Sequence, residues 1–140
     1  MADYFTQFSC MLDVGGAQNA ARALDLFATF TREIAAEDGA FGPGFAVSIE
    51  PGPDGEQLWL RDEAGGGDPE QVLRFVKRCA AAFDLTGRWG FQYAVSCSKT
   101  RLDAFGGGAH ALDLASGEAV SWISTDAWLA CALAGGACDA

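Results

Sequence analysis

His110 is the only histidine in the chain, so any Ser-His-Asp or Cys-His arrangement would have to run through it. Its neighbours give it a plainer role. His110, Leu112 and Leu114 alternate, which puts all three on one face of a strand, packed against a core or its rim. The segment before it, Lys99-Thr100-Arg101-Leu102-Asp103-Ala104-Phe105, reads as a loop with both charge signs and an exposed aromatic. Polar loops beside a rigid sheet are where ligand sites gather. Lys99, Arg101, Asp103 and His110 therefore form one candidate ligand site, which implies a small enzyme or a ligand-binding domain.

Other letter patterns fail on geometry. Ser96-Cys97-Ser98-Lys99 fits S-x-x-K, but that chemistry needs Ser and Lys one helical turn apart. Here the four residues end a strand, where Ser96 and Lys99 point to opposite faces. Asp13-Val14-Gly15-Gly16 lacks the G-x-G-x-x-G of a dinucleotide loop. Gly106-Gly107-Gly108 is followed by Ala109-His110 and closes a loop rather than a phosphate cradle. Gly65-Gly66-Gly67 is a flexible joint, and Asp68 behind it repels phosphate. No two acids are held at a predictable separation, so no catalytic residue, metal ligand or cofactor is assigned.

Five cysteines, Cys10, Cys79, Cys97, Cys131 and Cys138, leave at least one unpaired, and none is in a C-x-x-C pair. The first four lie in apolar periodic segments. They read as small buried hydrophobes in a reducing cytoplasm, with all five thiols free and Cys138 the exposed one.

Charge is the most uneven property of the chain. Nineteen acids against nine Lys or Arg give a net charge of −10. Residues 33–70 hold ten acids and Arg61 alone, net −9, whereas residues 71–101 hold six bases against Asp84, net +5. Such a balance argues against nucleic acid or an anionic membrane as a direct partner. The acids cluster at a helix end, a hairpin turn and a loop, and these could converge at one end of a sheet. Glu50, Asp54, Glu56, Asp62, Glu63 and Asp68 are then a docking face for a basic surface on a partner protein, including one that itself binds nucleic acid. The plainer reading is a solvated, solubilising surface. A third option is a homodimer joined through an exposed sheet face. No apolar run is long enough to span a membrane as a helix. The N-terminus shows no secretory pattern, so the expected location is cytoplasmic.

The elements that must position these residues follow from periodicity. Residues 4–14 alternate as one strand with Tyr4, Thr6, Phe8, Cys10, Leu12 and Val14 on one face. Helical spacing then runs from Ala17 to Glu37 through Ala20, Leu24, Phe27, Thr31 and Ile34. Two strands, at 45–50 and 58–61, flank the turn Pro51-Gly52-Pro53-Asp54-Gly55. Asp68 caps a second helix, with Pro69 at its first position and Gln71 closing a capping box. Val72, Phe75, Val76, Cys79 and Phe83 line its inner face. Alternation at 89–97, 110–114 and 120–124 gives three more strands around a loop from Lys99 to Gly108, and Thr125 starts a short last helix. The order β-α-β-β-α-β, then β-β-α, predicts a single α+β domain over 1–140. Its expected form is a ferredoxin-like split sheet, helices on one face, extended by the C-terminal hairpin and short helix.

The stretches Leu85-Thr86-Gly87-Arg88-Trp89-Gly90-Phe91-Gln92 and Leu102-Asp103-Ala104-Phe105-Gly106-Gly107-Gly108-Ala109-His110 resemble an uncharacterised family of small bacterial proteins over the C-terminal half. That resemblance implies no activity. In size and acidity the chain also resembles phage and plasmid inhibitors that mimic nucleic acid, anti-CRISPR proteins among them. That likeness implies a non-enzymatic inhibitor.

Overall fold

Phe8 divides the N-terminal strand. The computed structural model describes residues 3–38, 42–52, 55–100, 105–136 and 138. In it residues 4–14 form not one strand but two, β1 (Tyr4–Gln7) and β2 (Ser9–Leu12), which belong to different sheets. The elements that follow are α1 (Ala17–Asp38), β3 (Phe45–Gly52), β4 (Gly55–Asp62), α2 (Pro69–Ala82), β5 (Arg88–Cys97), β6 (Gly106–Asp113), β7 (Ala119–Ser124) and α3 (Thr125–Leu133). One sheet has the order β1-β5-β6-β7 and the other β2-β4-β3, and every pair of named strands is antiparallel. The fold is α+β, with two sheets where a single one was expected. Among the described residues no helix is long and apolar enough to cross a membrane.

The division has a local cause. The Phe8 N–H donates to Asp62 Oδ1 at 2.8 Å, and the Asp62 N–H donates to the Phe8 carbonyl at 3.2 Å. The other carboxylate oxygen of Asp62 accepts from the Gly65 N–H at 3.0 Å. The Thr6 N–H donates to the Gly65 carbonyl at 2.7 Å. A side chain and a turn thus satisfy backbone groups that a continuous ladder would have paired.

Phe8 itself is buried, and its ring meets Phe45 of one sheet and Phe91 of the other. From Phe45 the aromatic core continues to Phe75 on α2 and Phe27 on α1, then to Phe30. Ring centroids 5–6 Å apart and tilted are the favoured arrangement for such pairs. The buried face of α1 is Ala20, Ala23, Phe30 and Ile34 with Phe27 partly covered, so the stripe runs through Ala23 and Phe30 rather than Leu24 and Thr31. Both series satisfy three-or-four spacing, and periodicity alone cannot choose between them.

α2 starts where expected. Asp68 has extended backbone angles and accepts from the Glu70 N–H at 3.0 Å, and Pro69 opens the helix. The capping box does not form, because the Gln71 side-chain oxygen accepts from Arg74 instead. The helix ends at Phe83, before Thr86-Gly87.

The glycine run was expected to close a loop, but Gly106, Gly107 and Gly108 belong to β6. A Cβ at Gly107 would sit 2.5 Å from the Tyr93 carbonyl, and one at Gly108 would sit 2.6 Å from the Tyr93 hydroxyl. Glycine marks close approach between neighbouring strands here.

The cysteine expectation also changes. Cys131 and Cys138 form a disulfide, while Cys10, Cys79 and Cys97 are free. α3 has no buried residue, so Cys131 is not in the core. Gly135 at φ +81° reverses the chain after the helix and brings Cys138 back.

Candidate functional site

The described members of the acidic set do not gather at one place. Glu50 and Glu56 lie near the far end of the β3–β4 hairpin, where Gly52 pairs with Gly55. Asp62 ends β4, with Glu63 and Asp68 just beyond. Six residues of extended strand separate Glu56 from Asp62, about 20 Å at roughly 3.3 Å per residue. Asp62 and Asp68 hold backbone N–H groups at the strand division and the helix cap. Glu50 is half-buried, and Glu56 and Glu63 are exposed. Asp54 lies outside the described residues.

The acids upstream of this set are partly neutralised. Glu37 pairs with Arg74 at 3.3 Å and Glu33 with Arg78, joining α1 to α2. Both guanidinium groups also lie over the Phe30 ring. Two segments of opposite net charge in the sequence therefore meet in space, and the outward field is weaker than the segment sums imply.

Of the alternative site, Lys99 and His110 fall among the described residues. Lys99 is exposed beyond the end of β5, and Arg101 and Asp103 lie outside the described residues. His110 pairs with Phe91 in mid-strand, four residues from Gly106, about 13 Å along the strand. It faces the same side as Leu112, as the alternation predicts.

Its surroundings were not legible in the sequence. Phe91 and Tyr93 on β5, His110 on β6 and Trp122 on β7 form a row of near-parallel rings across three strands, with His110 5.9–6.2 Å from each of the other three. Register explains the row, because Phe91 opposes His110 and His110 opposes Trp122. Helix α2 walls one side. Glu70, Leu73 and Lys77 close a groove of about 310 Å³ with Tyr93, His110, Leu112, Ala119 and Trp122.

Helix α3 begins over the same face. The Cβ position of Gly106, on the side of β6 that carries His110, lies 2.9 Å from the Asp126 carboxylate. The Thr125 hydroxyl donates to the Gly107 carbonyl at 3.2 Å. A second groove of about 250 Å³ runs between Trp122, Ile123 and Ser124 on the strand and Ala127, Trp128 and Cys131 on the helix, with Cys138 at its end. Trp122 is the ridge between the two grooves.

Exposure is what sets this region apart. Val120, Trp122, Trp128, Leu129 and Leu133 are between 41% and 79% exposed. Residues 119–133 carry one charge, Asp126, in a chain of net −10. Single exposed apolar residues need no explanation, but Trp122 and Trp128 line one groove between strand and helix, and such a group marks a contact surface. The sequence did show Trp122, Trp128 and Leu133. It could not show that they stay exposed, because an apolar helix reads as a buried one.

Among the described residues no group of three or more His, Cys, Asp or Glu is placed to hold a metal. Compared with known proteins, the chain matches no family model, no curated protein and no solved structure. The surface itself is therefore the basis for assigning a role.

Proposed function

We propose that this chain is a non-enzymatic binding protein that works by protein–protein contact, through the face formed by β7 and α3 around Trp122. The observation that carries this reading is the set of five exposed large apolar side chains on β7 and α3, in a stretch with a single acid. Interface centres are depleted of charge and enriched in Trp. Docking on a basic partner surface remains part of the reading in a secondary role. Glu50, Glu56 and Glu63 act at the rim and steer encounter, because scattered exposed acids change association rates more than bound contacts. An inhibitor role, as the likeness to phage and plasmid inhibitors implies, is one form of such binding. The proposed compartment is the cytoplasm, although the Cys131–Cys138 disulfide is of the kind that persists in oxidising compartments.

We also infer that the two sheets are one ferredoxin-like split sheet opened at Phe8. Support comes from the pairings. β1 joins β5 and β2 joins β4, so the order across the division is β3-β4-β2/β1-β5, every neighbour antiparallel.

The test uses the full chain as bait in extract of its native source. Leu129→Glu and Leu133→Glu should abolish capture of the partner, while Glu50→Gln with Glu56→Gln should retain it and slow its association. Capture that survives the apolar changes and is lost with the acids would return the contact to the acidic face.

A further inference from the structure

We infer that the groove between α2 and the ring row is a binding site for a small molecule that carries a quaternary ammonium group. It lies on the α2 side of Trp122, so it does not rest on the contact face proposed above.

Size and lining supply the first argument. The groove holds about 310 Å³, at the low end of the roughly 300–1,000 Å³ of small-molecule sites. Tyr93, His110 and Trp122 give it three aromatic rings, and Leu73, Leu112 and Ala119 add apolar side chains. The rings are turned alike, with Tyr93 at 20° and Trp122 at 19° to His110. Room for them is built into β6. A Cβ at Gly108 would sit 2.6 Å from the Tyr93 hydroxyl oxygen and 2.8 Å from the ring carbon that bears it, so glycine lets this ring reach across the strand. Burial falls along the row, from half-buried Tyr93 and His110 to Trp122, which is 60% exposed. The sheet fixes the rings and leaves them open to a ligand.

Charge decides the ligand. The face of an aromatic ring attracts cations. Glu70 stands at the Tyr93 end of the groove. The Gly65 carbonyl, just before α2, accepts from the Thr6 N–H, and Thr6 pairs with Val95, two residues from Tyr93. Asp126 lies beyond the same end. Its carboxylate is 2.9 Å from the Cβ position of Gly106, which shares a face of β6 with Gly108 and His110. Two residues of strand, about 7 Å, separate Gly106 from Gly108. Neither carboxylate has a hydrogen-bond or ion-pair partner among the described residues.

Lys77 marks the opposite end. It follows Glu70 by seven residues on α2, about 10 Å along a helix. Its Cγ is 3.9 Å from the Cβ position of Gly117 in the β6–β7 turn. A cation is therefore held at the ring end and repelled at the other. Methylation follows from the same lining. A bare ammonium needs an acceptor for each of its N–H groups, and ring faces and apolar side chains offer none. A quaternary ammonium has no N–H to satisfy and suits an aromatic site.

Proton NMR of the full chain titrated with choline tests the inference, read on the imidazole signals of His110, the single histidine. Those signals should shift saturably. The neutral isostere of choline, with carbon in place of nitrogen, should bind about tenfold more weakly or worse. Trp122→Leu should weaken choline binding about tenfold and Glu70→Gln about threefold. Glu70 is exposed, so its variant keeps the fold even if Trp122→Leu does not. Glu50→Gln with Glu56→Gln removes two charges in the other sheet and should leave choline binding as it was, as should Leu129→Glu on α3. Absence of a saturable shift overturns the inference. So does equal binding of the isostere, which makes the groove a plain apolar pocket. Loss of binding with the Glu50 and Glu56 changes also overturns it, because the effect is then a general attraction of cations. Co-sedimentation with phosphatidylcholine vesicles should be absent; its presence would assign the cation to a lipid headgroup and overturn a free ligand. If choline binds while Leu129→Glu and Leu133→Glu leave partner capture intact, this site stands and the contact face falls.

Discussion

Asp62 shows how much a single side chain can carry that its letter does not announce. In the sequence it is one of ten acids between residues 33 and 70. In the fold its two oxygens accept from the Phe8 and Gly65 N–H groups and hold the point where the N-terminal strand changes sheets. Asp62→Asn turns one acceptor into a donor facing a donor. It should lose about 1–3 kcal/mol, whereas Glu63→Gln beside it should stay within about 0.5 kcal/mol. Urea denaturation of the two variants checks this. Cys10 and Cys79 make a second prediction at this scale. Burial pushes both thiols from 9.0 up to about 12. Each native thiol holds its proton more tightly than in the unfolded chain, so the stabilisation is complete below pH 9 and is lost as pH rises towards 12. The denaturation midpoint should fall across that window, and Cys79→Ala should flatten the fall.

Among the elements, the helices divide into one kind fastened by local signals and one kind defined by its surroundings. Asp68 and Pro69 start α2 as their chemistry requires. Asp68→Ala should lower stability by about 0.5–2 kcal/mol, read from the chemical denaturation midpoint, by freeing a helix N–H and removing a favourable charge from the positive end. The ion pairs from Glu33 and Glu37 to α2 are exposed, and each contributes less than about 1 kcal/mol. α3 has no buried residue and is closed by a disulfide across seven positions. Protein isolated in air should show three thiols when denatured without reductant and five with it, by thiol titration. Five in both would place Cys131 and Cys138 as a free pair.

For the whole molecule, Phe8 is the position on which both sheets depend. It touches Phe45 in one and Phe91 in the other. Phe8→Ala should cost about 3–5 kcal/mol, the range for a buried aromatic that leaves a cavity. Phe105→Ala, at a half-exposed ring, should cost much less. Thermal melts of the two variants separate a residue that joins sheets from one that lies on the surface.

Local order was legible from the chain itself. The span of α1, the start of α2, the strand alternation at 89–97 and the inward direction of His110 follow from periodicity and capping, which act over a few residues. The site was not legible to the same degree. The row from Tyr93 through His110 to Trp122 depends on register between three strands up to 29 residues apart in sequence. Register is settled by which faces become buried. The same holds for the charges. Segment sums are properties of the chain, but whether Glu37 faces solvent or Arg74 is a property of helix packing. Alternation through residues 4–14 promised one strand, and alternation has no term for a carboxylate 54 positions away that captures the Phe8 N–H. What the sequence determined by itself is the set of elements and their inner faces, because those energies are local. Tertiary structure alone decided which elements share a sheet and which apolar side chains remain uncovered, because burial belongs to neighbours and not to letters.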